Sequence, residues 1–171
     1  MHNDSVQKTI IVAASLCIVC SVLVSGAAVS LRPLQNFNKK LDIKKNLLLA
    51  SGLIDSADVK TKKIQKIYED RIEAKVIDIS TGKVVEDMSA ENFDQRSAAK
   101  TPDMNVRIPG KKDKADIKKR AKYAEVYLVK EDGQIDMIVL PVHGKGLWST
   151  MYGFLALDRD TRTVRGIGFY E

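Results

Sequence analysis

The sequence predicts an α+β fold, an antiparallel β-meander with flanking helices, preceded by one N-terminal transmembrane helix. Three observations carry this. Thr9 to Leu31 is a run of 23 consecutive residues without a formal charge, and a bilayer-spanning helix needs about 20 apolar residues. Apolar residues then recur at helical spacing as far as Ile72, and from Tyr123 onward they fall in short alternating runs separated by turn residues. Composition agrees with one domain on one anchor. At 171 residues, 44% hydrophobic and 29% charged, the chain is neither a disordered polymer nor a polytopic membrane protein. Two cysteines and two histidines exclude a disulfide-stapled scaffold and an ordinary zinc finger. The boundaries read as a short N-terminal head at 1–8, a transmembrane helix at 9–31 and an α+β domain at 32–171.

The anchor competes with a cleaved signal peptide, because Gly26-Ala27-Ala28 and Ala28-Val29-Ser30 offer small-residue cleavage patterns. The apolar run exceeds the roughly 7–15 residues of a signal core, and only Lys8 precedes it among basic residues, which favours an uncleaved helix. Arg32, Lys39, Lys40, Lys44 and Lys45 follow it closely, so the basic count favours a cytoplasmic body. A whole domain translocates largely regardless of its charge, and charge alone leaves the side undecided. Cys17 and Cys20 read as small helix residues in lipid, since a lone pair supplies too few metal ligands. Ala13, Cys17, Ser21 and Ser25 form a small-residue stripe, expected to face a helix of a membrane partner.

Arg32-Pro33 is expected to break or bend the first helix. A helix then continues through Leu34, Phe37, Leu41 and Leu48, with Gly52 as its stop. A second helix is expected over about 59–72, from the spacing of Ile64, Ile67, Tyr68 and Ile72. Alternation over 74–79 follows, with a turn at Ser80-Thr81-Gly82-Lys83. From Glu86 to Ala121 the apolar pattern dissolves. Window 107–122 holds eight Lys or Arg against two Asp, a net +6 equal to the whole-chain excess. Such a cluster attracts nucleic acid or anionic lipid heads. Without interleaved aromatic residues it reads more simply as a solvated loop running into a short helix. The meander consists of strands at 123–129, 135–142, 151–157 and 163–170, with turns at 131–134 and 158–161. The last strand reaches Glu171 without a turn or cap, so the domain is expected to continue past this chain.

The richest chemical signal is His143-Gly144-Lys145-Gly146-Leu147-Trp148-Ser149-Thr150-Met151-Tyr152-Gly153. Two glycines one residue apart allow close approach of a flat or anionic ligand and supply positive φ angles. With Lys145, Trp148 and Tyr152 they could hold a phosphate and a conjugated ring. A tight hairpin with a buried tryptophan has the same pattern. The spacing is not that of a P-loop. His143 has no nucleophile paired with it in sequence, and Asp158 and Asp160 read as turn formers. Gly166 and Gly168 in the last strand suggest close approach by a ligand or a neighbouring strand. No metal constellation is evident.

Asn38–Leu53 (NKKLDIKKNLLLASGL) after a single anchor, Arg71-Ile72-Glu73, and His143–Phe154 (HGKGLWSTMYGF) together resemble the NqrC family, the C subunits of the Na+-translocating NADH:quinone oxidoreductases, with their FMN-binding domain. The resemblance runs over nearly the whole chain in the family's order. It implies an electron-transfer subunit of that membrane enzyme, relaying electrons through a covalently held FMN. The body would lie on the periplasmic side of a bacterial inner membrane, with other membrane subunits and lipid as partners and no nucleic acid. The family attaches FMN at a threonine of a Ser-Gly-Ala-Thr motif. That motif is absent here; Ser25-Gly26-Ala27-Ala28 lacks the threonine and lies in the apolar run. The attachment threonine is therefore expected beyond Glu171. Gly144, Gly146, Leu147 and Trp148 are the expected pocket lining, with Tyr152 and Glu171 as further candidates and no catalytic acid or base. The G subunit of the Rnf electron-transport complex resembles the same pattern, although the anchor-proximal match speaks for NqrC. A membrane-tethered binding or assembly module without its own cofactor is the alternative of another class.

Overall fold

The computed structural model describes residues 5–55 and 59–171. Of the N-terminal head, residues 1–4 lie outside the described residues. Helix α1 spans Val6–Ala50, 45 residues with Pro33 inside it, or about 68 Å at 1.5 Å per residue. The expected break at Arg32-Pro33 does not occur. Proline removes one backbone donor and crowds the carbonyl four residues back, but helix-favouring sequence on both sides carries the helix through. Two compact units result, one ending at Lys40 and one spanning Leu41–Glu171. In the first unit the apolar side chains from Val6 to Phe37 are exposed, and α1 is long and apolar enough to cross a membrane.

Helix α1 ends where its glycine requires. Gly52 adopts φ +69°, its N–H donates to the Leu49 carbonyl at 3.1 Å, and the Leu53 N–H donates to the Leu48 carbonyl at 2.9 Å. This paired closure satisfies carbonyls that the last turn leaves without partners. Helix α2 covers Thr61–Arg71, shorter than the expected 59–72 at both ends. Ile72 instead opens strand β1 (Ile72–Asp78) with no intervening loop, because its extended backbone (φ −112°, ψ 124°) already belongs to the sheet.

Strand β1 pairs with β4 (Tyr123–Glu131), and β4, β5 (Gln134–Lys145), β6 (Thr150–Asp158) and β7 (Val164–Phe169) follow as an antiparallel meander, in spatial order β1-β4-β5-β6-β7. The β4–β5 turn is Asp132-Gly133 with φ +49° and +77°, the two left-handed residues whose twist matches a hairpin. At the β6–β7 turn the Asp160 carboxylate accepts from the Arg162 and Thr163 N–H groups at 2.9 and 2.8 Å, the turn-forming role expected of it.

The stretch 86–121 is more ordered than its pattern suggests. It forms α3 (Gln95–Ala98), a 3₁₀ turn at Pro102–Met104, and a two-stranded ladder of β2 (Asn105–Arg107) and β3 (Lys119–Ala121). The expected loop running into a short helix is corrected accordingly. Polar backbone pairing, which leaves no hydrophobic period to read, organises it.

One face of the main sheet is covered by the last turns of α1 and by α2. Leu47, Leu48, Ala50, Ile54 and Ile64 pack against Tyr127, Val129, Met137, Val139, Phe154 and Ala156. The fit is close at the last strand. A Cβ at Gly166 would lie 2.2 Å from the Ala50 carbonyl oxygen, and one at Gly153 would lie 2.4 Å from the Gly168 carbonyl oxygen. Gly153 and Gly166 are thus explained by approach of neighbouring backbone, whereas a Cβ at Gly168 would make only ordinary contact with Ala50 Cβ at 3.6 Å.

We expect Gly166→Ala to destabilise the fold by about 1–3 kcal/mol, the usual cost of forcing extra volume into packed structure. It should appear as a lower urea midpoint at unchanged slope; an unmoved midpoint would mean that the end of α1 yields freely. A second expectation concerns acid. The ammonium groups of Lys130 and Lys75 lie 2.7 Å from the Glu73 carboxylate and hold it down to about 2 from 4.5. The folded value lies below the unfolded one, so this stabilisation is complete above about 4.5 and is lost as pH falls toward 2. Stability of Glu73→Gln should fall less steeply than that of the parent across this range, and the difference should shrink at high salt, because the group is exposed.

Candidate functional site

Strands β5 and β6 are joined by a tight hairpin. Lys145 pairs with Thr150 across the ladder, and the Gly146 N–H closes the loop onto the Ser149 carbonyl at 2.8 Å. The tip therefore consists of Leu147 and Trp148, which are 90% and 94% exposed. The hairpin form is as expected; the buried tryptophan that went with it is not found. A side chain at the end of a two-strand ribbon has no layer above it to enter.

Gly144 and Gly146 do not have positive φ angles, which corrects the conformational role expected of them. Their missing side chains matter sterically. A Cβ at Gly146 would meet Met151 Cγ at 2.7 Å, and one at Gly144 would meet Ala115 Cβ at 3.3 Å. The second contact belongs to a larger tie. The Lys145 N–H donates to the Ala115 carbonyl at 2.9 Å, and the Lys145 ammonium donates to the Asp116 carboxylate at 2.8 Å. The segment between β2 and β3 is thereby fastened to the base of the hairpin.

Tyr152 and Glu171 are brought together by a residue that the sequence did not single out. Arg96, on α3, places its guanidinium 3.5 Å from the centre of the Tyr152 ring. It also donates to the Tyr170 hydroxyl at 3.2 Å and forms an ion pair with the Glu171 carboxylate. The Tyr152 N–H donates to the Glu171 carbonyl at 2.8 Å, so the main chain makes the same connection. The His143 ring also stacks with Tyr152, with centroids 5.6 Å apart. Tyr170 in turn stacks on Phe154 at 5.3 Å, and Phe154 meets Tyr127 edge-on at 5.9 Å. Burial, and after it the Arg96 charge, pushes His143 below the usual histidine range.

Helix α3 holds Arg96 in place by two means. Asp94 caps it, its carboxylate accepting from the Arg96 and Ser97 N–H groups at 2.9 and 3.1 Å. Gln95 anchors it to the sheet by accepting the Glu125 N–H at 3.0 Å. The signal available in sequence was the capping pattern at Asp94, which announces a helix but not the destination of its arginine. The expected site residues thus fall into two groups, the exposed hairpin tip and the half-buried Arg96 cluster.

No family model matches the chain. Among curated proteins, the C subunit of the Na+-translocating NADH-quinone reductase of Haemophilus ducreyi is 47% identical over 171 residues, which is 99% of this chain and 64% of that protein. Its counterpart in Pseudomonas aeruginosa is 42% identical over 170 residues, covering 99% of this chain and 65% of that protein. A crystal structure of Shewanella oneidensis NqrC superposes with a TM-score of 0.69 at 35% identity, covering 78% of this chain and 60% of that one. The chain spans just under two thirds of the length of the curated relatives it matches. With this identity running from the apolar helix through the β5–β6 hairpin to β7, and with the fold shared, the chain is similar over nearly its whole length to the C subunits of the Na+-translocating NADH-quinone reductases.

Proposed function

We propose that the chain serves as an electron-transfer subunit of a bacterial Na+-translocating NADH:quinone oxidoreductase, held in the inner membrane by α1 and working through FMN. The observation that carries this reading is identity above 40% over 99% of the chain to proteins named as that subunit. The apolar helix supports membrane attachment, and its small-residue stripe offers a close-packing face to another subunit's helix.

The side chains present fit the ring of a flavin but not its attachment. Leu147 and Trp148 expose a large apolar and conjugated surface, the kind that a flat ring system covers well. The attachment hydroxyl is not among these residues, since Ser-Gly-Ala-Thr does not occur in the sequence. When bound, FMN supplies the redox chemistry, and the protein supplies position and electrostatics. The chain's own contribution in this reading is a wall. Leu147 and Trp148 would shield one side of the ring from water, Gly144 and Gly146 let the hairpin stay narrow, and Arg96 holds Tyr152 and Glu171 together. None of these groups holds or moves a proton.

Two outcomes are expected. In the full-length flavinylated protein, Trp148→Ala should shift the flavin absorbance or potential and leave the covalent attachment intact. An unaltered spectrum and potential would remove Trp148 from the flavin's surroundings. For topology, Ser97 lies exposed on α3, and a cysteine placed there should react with an impermeant thiol reagent in intact cells. Labelling only after lysis would put the domain in the cytoplasm.

A further inference from the structure

The lysine-rich stretch 107–122 forms a folded lobe whose positive charges face one another. Strands β2 and β3 place Arg107 directly opposite Lys119, and like charges at such a pair destabilise a ladder. The connection between them is nevertheless well tied. The Ile108 N–H donates to the Lys118 carbonyl at 2.9 Å, and the Asp113 carboxylate accepts the Ile117 and Lys118 N–H groups at 3.0 and 2.7 Å. Asp116 and Lys118 adopt φ +48° and +65°, a conformation that L side chains adopt at a cost.

Both carboxylates of the lobe are engaged internally, Asp113 on those amides and Asp116 on Lys145. Arg107, Lys111, Lys112, Lys114, Lys118 and Lys119 are exposed, and none forms an ion pair among the described residues. A cleft of about 490 Å³ opens there, lined by Arg107, Gly110 and Lys118 and also by the engaged carboxylates Asp113 and Asp116. Six exposed cations thus share the lobe with two carboxylates, both already hydrogen-bonded, and a net positive charge remains.

We propose that this lobe is a docking surface for the anionic phospholipid headgroups of the bilayer that anchors the same chain. A membrane helix makes that surface a tethered ligand, present at high effective concentration without any further binding step. Clusters of four to eight basic residues are what anionic leaflets attract, at about fivefold in affinity per residue near the surface. The chemistry of the lobe disfavours other polyanions. It has no aromatic residue between 107 and 122 on which nucleic-acid bases could stack. Val106 is the exposed large apolar side chain of its ladder, so it also lacks the apolar anchors of a protein interface core. The docking rests on α1 as the anchor and not on the electron-transfer reading. It holds on either side of the membrane.

The test uses the full chain in lipid nanodiscs, with incorporation checked first by co-migration of protein and lipid so that failure of the anchor is registered separately. Gly110 has open space around a Cβ, so a fluorophore on Gly110→Cys, in a Cys17→Ser, Cys20→Ser background, reports energy transfer to acceptor-labelled headgroups. Transfer should be strong in discs containing phosphatidylglycerol and weak in phosphatidylcholine alone, and should fall as salt is raised. Lys111→Glu with Lys112→Glu and Lys114→Glu should reduce it to the phosphatidylcholine level. Equal transfer in the two lipids, or a triple variant matching its parent, overturns the proposal. Loss of transfer to inorganic phosphate at constant ionic strength would overturn it in favour of a free-phosphate site. Subunits lost on purification of the triple variant, with no change of transfer in the discs, would overturn it in favour of an acidic protein partner.

Discussion

Ala50 and Gly166 approach so closely that a methyl group at position 166 would meet the Ala50 carbonyl oxygen at 2.2 Å, and much of the domain depends on this approach. It seats the end of α1 against β7, the last strand of the sheet, and puts Leu47 and Leu48, both fully buried, over the central strands. The helix can end there because Gly52 turns the chain away and satisfies its last carbonyls locally. A sheet with one face covered by a helix end and by α2 has its register set strongly, since a one-residue slip would expose every core residue. Helix closure, strand register and core packing therefore rest on the same contact.

Arg96 plays a comparable part for the candidate site. A cation stacked on one tyrosine, hydrogen-bonded to a second and paired with a carboxylate has most of its interactions met by this chain. It holds residues from α3, β6 and the end of the chain in one geometry. The hairpin tip is the opposite case, two large apolar side chains presented by a rigid ribbon with nothing of the described chain upon them.

Which features could be read from sequence follows from range. The apolar helix shows as an unbroken uncharged run and the meander as a period of 2 with turns such as Asp132-Gly133, signals that lie within one contiguous stretch. The closing role of Gly52 is equally local. Arg96 reaches partners 74 and 75 residues away, and no local pattern encodes that. Trp148 shows the same limit from the other side, because a buried and an exposed tryptophan at a hairpin share one sequence. Gly144 suggested a ligand approaching the backbone; what approaches it is Ala115, from a segment whose order rests on backbone pairing and an aspartate, not on hydrophobic rhythm. Of the break or bend read at Pro33, the break does not occur, because proline's cost is that of roughly one turn, small beside a helix of 45 residues.

Lys145 is held by Ala115 through its main chain and by Asp116 through its side chain, so the basic lobe and the Leu147–Trp148 hairpin share a hinge point with two fastenings. Two ligands, one on each element, that both discriminated between settings of that joint would change each other's affinity by the same factor.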